Sequence, residues 1–75
     1  MAESRRDRFL RLANQRVNRA IKIFRLIGNL SVRSNYDYRD EDVRTITRAL
    51  EEELKAIKAR FESAPTKQKD VFRLK

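Results

Sequence analysis

Two parallel stripes run along the first third of the chain. Leu10, Ala13, Val17, Ala20, Phe24 and Ile27 recur at a three-four-three-four-three spacing. That period keeps apolar side chains on one side of an α-helix, whereas a strand would need alternation. Arg8, Arg11, Gln15, Asn18, Lys22 and Arg25 repeat the same spacing on another side. The pattern predicts a helix over about residues 4–27. Ser4 is the expected N-cap, with Asp7 three residues on to complete a weak capping box. Gly28, the only glycine, follows the last periodic residue. Glycine tolerates the left-handed backbone that ends many helices, so Gly28 is the expected stop, supported by Asn29.

A second seam follows: Val43, Ile46, Leu50, Leu54, Ile57, Phe61 and Ala64. It predicts a helix over about residues 40–64. Asp40 is the expected N-cap, with Glu41 and Asp42 facing the positive end of the helix dipole. Pro65 stops the helix. The connector, residues 28–39, is rich in Ser, Asn and Asp, whose side chains compete for backbone hydrogen bonds and favour turns. Its Leu30, Val32, Tyr36 and Tyr38 suggest folding back onto the helices. The basic tail, residues 65–75, carries too little pattern for an assignment: it is either disordered or docks through Val71, Phe72 and Leu74.

Two helices of equal length, one seam each and a connector of about a dozen residues read as an all-α antiparallel hairpin forming a single small domain, residues 1–75. A hairpin buries one side of each seam. Leu12, Ile23 and Leu26 lie outside the main stripe of the first helix and widen its apolar surface. Either the connector covers them or they are an oligomer or partner contact. A dimeric four-helix bundle is the expected way to complete such a core, since a chain of 75 residues buries too little surface to be comfortable alone.

Charge sharpens the picture of the polar stripe. The chain carries a net charge of +8, and residues 4–28 hold eight cations against Asp7 alone. Residues 40–64 are net acidic, and the tail is basic again. A solvated outer face mixes signs, as the second helix does with Glu51, Lys55, Lys58 and Glu62. The first helix hardly does, and its crowded like charges call for an offset. Arg16 facing Glu53, or acidic residues of a second copy, are intramolecular or self-association candidates. A polyanion is the other.

Seven of the eight cations are arginines. Arginine offers a planar fork that pairs bidentately with phosphate or carboxylate, and the interleaved Gln15 and Asn18, with Asn14 beside them, can read base edges. The segment RRDRFLRLANQRVNRAIK resembles in composition the arginine-rich helices that some RNA-binding proteins lay into a groove. The connector is too long for a helix-turn-helix. Tyr36 and Tyr38 could stack bases, but loop or core packing accounts for them as well.

Two function classes therefore stay open. One is a nucleic-acid-binding protein, with Arg8, Arg11, Arg19, Lys22 and Arg25 on phosphates and Gln15 and Asn18 toward bases. The other is an interaction module binding an acidic protein surface or a second copy of itself, with the same residues plus Ile23 and Leu26. Catalysis is not expected. There is no histidine or cysteine, which removes the commonest general base, the thiol nucleophile and the soft metal ligands. A single glycine excludes a phosphate-binding loop or dinucleotide fingerprint. Asp40–Glu41–Asp42 reads as a helix start, and Glu51–Glu52–Glu53 fans around its helix, so neither suggests a metal. No cofactor is expected. No apolar run approaches the roughly 20 residues of a membrane span, and the first residues lack the apolar core of a secretory signal, so a cytoplasmic protein is expected.

Overall fold

The computed structural model describes residues 2–65, and the expected basic tail beyond Pro65 lies outside them. Two α-helices carry the described chain, with no strand among the described residues: α1, Arg5–Gly28, and α2, Asp40–Ser63, each of 24 residues. A 3-10 turn, Asn29–Ser31, directly continues α1.

The start of α1 follows from its first residues. Ser4 holds extended backbone, and its hydroxyl oxygen accepts a hydrogen bond from the Asp7 amide at 3.0 Å. This satisfies one of the amides that a helix N-terminus leaves without a backbone acceptor. Asp7 places a carboxylate in the first turn and Arg25 a cation in the last, both matched to the helix dipole.

The end of α1 corrects the expectation for Gly28. Gly28 is right-handed, at φ −59° and ψ −31°, and no described residue adopts positive φ. The helix instead tightens into the 3-10 turn. The amide of Asn29 donates to the carbonyls of Arg25 and Leu26, and Val32 then turns to extended backbone. Shortening the hydrogen-bond ladder from four residues to three satisfies the last carbonyls without any left-handed residue. Beyond it, the amides of Asn35 and Tyr36 both donate to the Val32 carbonyl, at 3.0 and 3.1 Å, closing a turn in the connector.

The start of α2 shifts by one residue from the expected cap. Arg39, not Asp40, stands in extended backbone at the N-cap, and Asp40 is the first helical residue. An arginine side chain has no acceptor to offer the helix. Asp42 compensates by reaching back: its Oδ2 accepts from the Arg39 amide at 2.8 Å. Within the helix, the Thr45 hydroxyl donates to the Glu41 carbonyl at 2.9 Å, which absorbs a polar group in a β-branched side chain.

The chain divides into two units at Asp37 and Tyr38, α1 with its 3-10 turn in the first and α2 in the second. Neither helix buries a residue. The α1 stripe is open at Val17 and Phe24, and the α2 seam is two-thirds exposed at Leu54 and Phe61, at 65% and 66%. Leu12, Ala13, Ile27, Tyr38 and Leu50 are the most covered of the described residues, and none is buried. Amphipathic helices draw most of their stability from packing their apolar face, so both seams are surfaces that call for a covering layer.

Candidate nucleic-acid interface

Helical geometry gathers the polar residues of α1 onto one arc. At 100° per residue, Asn14, Arg25, Asn18, Arg11, Lys22, Gln15, Arg8 and Arg19 fall, in that angular order, within roughly 140° of the circumference. All eight are exposed. The arc is opposite Val17 and Phe24, so the polar and apolar faces of α1 do not compete. Along the axis, Arg8 and Arg25 lie about 26 Å apart at 1.5 Å per residue. The carboxylate of Asp7 shares the N-terminal end of the arc, and Leu26, 63% exposed, marks its C-terminal edge.

The remaining cations of α1 lie elsewhere. Arg6 leans over the Phe9 ring, its Cζ 5.9 Å from the centroid, and so belongs to the apolar side. Arg5 and Arg16 fall on the flank between the two faces, with Leu12 and Ile23. Leu12 is half-buried and Ile23 is half exposed.

One member of the arc already holds an anion. The Arg11 guanidinium donates from Nε to Glu3 Oε2 at 2.8 Å and from Nη2 to Glu3 Oε1 at 2.9 Å. The hydrogen bond from Arg11, reinforced by its charge, holds the Glu3 carboxyl below its ordinary range, and Glu3 raises Arg11 in turn. Arg11 thereby displays the planar two-oxygen recognition that makes arginine suited to phosphate and carboxylate alike. Sequence spacing does not reveal this pair. Glu3 precedes the helix and stands eight positions from Arg11, outside the three- and four-residue spacings at which helical neighbours meet. Arg8, Arg19, Lys22 and Arg25 make no ion pair among the described residues.

The two acidic runs of α2 do not build a comparable site. Asp42 is engaged as the helix cap. No group of three or more acidic, His or Cys side chains suited to a metal ion occurs among the described residues. Among the described residues, no helix is long and apolar enough to cross a membrane. No protein-family model matches the chain, and no match was found among curated proteins or solved structures.

Proposed function

We propose that this chain is a small, non-enzymatic nucleic-acid-binding protein that acts through the exposed arc of α1. The observation that carries the reading is the arc itself: five cations and three amides on one face, with Glu3 the only carboxylate paired to it among the described residues. Arg8, Arg11, Arg19, Lys22 and Arg25 engage phosphates, and Gln15 and Asn18 point toward bases. Phosphates supply the opposite charge that Asp7 and Glu3 leave largely unmatched on this face among the described residues.

Self-assembly completes the core in this reading. The open seams of α1 and α2 pack as an antiparallel hairpin, and two hairpins complete a four-helix bundle, leaving both basic arcs outward. Leu12, Ile23 and Leu26 extend the contact between copies. The protein works in the cytoplasm, without cofactor or metal.

A titration of RNA and duplex DNA at two salt concentrations tests this reading. Wild type binds, and the Arg8→Glu/Arg11→Glu/Lys22→Glu variant does not, with helix content unchanged by circular dichroism. Absence of binding to any nucleic acid at low salt refutes it. For the assembly, Ile23→Asp yields a folded monomer on sedimentation if Ile23 lies between copies, and a globally unfolded chain if it lies under the connector.

The Glu3–Arg11 pair favours a second reading, an adaptor or inhibitory module docking on an acidic protein surface. Here the fork of Arg11 exchanges its own carboxylate for one on the partner. A charge-reversed arc that loses a protein partner while the wild type ignores nucleic acid would select it.

A further inference from the structure

The order of side chains along the arc points to a specific form of nucleic acid, and this step rests on the nucleic-acid reading above. Along the helix axis the amides sit in the middle, Asn14, Gln15 and Asn18 spanning about 6 Å, with Asn14 at the angular edge of the arc. Cations lie on either side of them, Arg8 and Arg11 before, and Arg19, Lys22 and Arg25 after. We infer that α1 lies in the major groove of duplex DNA, with the central amides on base edges and the flanking cations on the phosphates of the groove walls.

The helix runs unbroken from Arg5 to Gly28. A straight rod laid in a groove that winds around an axis touches the floor only near its middle, and its ends rise toward the phosphate walls. Amides in the middle can pair with bases, and cations at the ends can only meet phosphates, which is the division of labour between specifying and positioning contacts. The major groove of B-form DNA, about 12 Å wide, admits an α-helix. The major groove of an uninterrupted A-form RNA duplex is deep and narrow, and side chains cannot read its bases. Single strands are read chiefly by stacking on aromatic side chains. The arc contains none: Phe9 and Phe24 lie on the apolar side, where Arg6 stands over the Phe9 ring. Asparagine and glutamine pair bidentately with the N6 and N7 edge of adenine, so the sites preferred by this helix contain adenine at their centre.

The experiment is selection from DNA duplexes with a randomised centre, followed by anisotropy titrations. The probes are a selected duplex, the RNA duplex of the same sequence and each DNA single strand, all at the same salt. The DNA duplex is expected to bind at least roughly tenfold tighter than the other forms, with adenine enriched at the centre. Gln15→Ala/Asn18→Ala loses the enrichment but keeps the salt dependence. Arg8→Ala/Lys22→Ala keeps a residual sequence preference and flattens the salt dependence by about two phosphate contacts. Alanine favours helix, so both variants stay folded, which circular dichroism verifies. Equal or tighter binding of duplex RNA or single strands overturns the groove inference while leaving nucleic-acid binding intact. Enrichment without adenine overturns the assignment of the amides. Failure to bind every probe overturns the underlying proposal as well.

Discussion

Arg11 holds Glu3 through a two-pronged ion pair that reaches from the second turn of α1 back past its N-cap. The segment before the helix is thus laid against the basic arc, and its carboxylate occupies the fork that an incoming phosphate would use. Both partners remain well exposed, 50% for Arg11 and 35% for Glu3, so the pair is open to exchange with solvent anions.

This pair makes the folded chain sensitive to acid. A carboxyl held low in the folded chain favours the structure above its ordinary titration range, and that contribution disappears as pH falls through the lowered value. Carbon-detected NMR of the Glu3 side chain therefore gives a midpoint below that of an unperturbed glutamate. Arg11→Ala returns it to the ordinary range. An unchanged midpoint in that variant means that the pair does not persist in solution.

The same pair predicts a gain of binding. Glu3→Gln removes the competing charge and frees the Arg11 fork. Affinity for duplex DNA rises, and the logarithmic salt slope steepens by up to about 0.9, the value of one added phosphate contact. A variant that binds as wild type at every salt concentration shows that Glu3 does not compete at this face.

The start of α2 predicts a contrast between two neighbouring acids. Asp42→Ala removes the acceptor for the Arg39 amide and costs about 1 kcal/mol, as cap losses generally do. Asp40→Ala, at the first helical residue, leaves the bond from the Arg39 amide to Asp42 in place and is expected to cost less. Urea unfolding followed by circular dichroism ranks the two. The reverse order would restore Asp40 as the cap. Ser4→Ala should match Asp42→Ala in size at the start of α1.

At the other end of α1, Gly28 offers a stabilising substitution. Its backbone is right-handed, and a Cβ built there meets nothing within 4 Å. Gly28→Ala should therefore raise helix content and stabilise the chain by up to about 1 kcal/mol. Thermal unfolding checks the sign. A drop in melting temperature would mean that the residue adopts the left-handed stop in solution, or that a packed neighbour fills the space.

Both helices are legible in the amino-acid order, because their signal is a periodic repeat carried by many residues at once. Leu10 through Ile27 and Val43 through Ala64 repeat at a spacing that only a helix can exploit, and one substitution would not erase it. The polar arc is equally legible, since helical angle follows from residue number alone. The Ser4 cap is readable because a serine before an apolar-periodic run is a local device with a short reach.

What escapes the sequence lies where alternatives differ little in energy or where partners are remote along the chain. Asp40 and Asp42 are both acidic residues near a helix start, and either could serve the Arg39–Asp40 boundary; backbone placement selects the one whose carboxylate reaches an open amide. Glycine permits a left-handed stop without requiring it, so Gly28 leaves the choice to the hydrogen bonds of Asn29. The Glu3–Arg11 pair depends on the path of the residues before α1, which no periodicity describes. Amino-acid order thus determined the helices and the two faces of α1, because both are properties of one repeating element. Three-dimensional placement alone decided the cap register, the 3-10 ending and the anion already seated on the basic face, because each is a choice among nearby groups that only distance resolves.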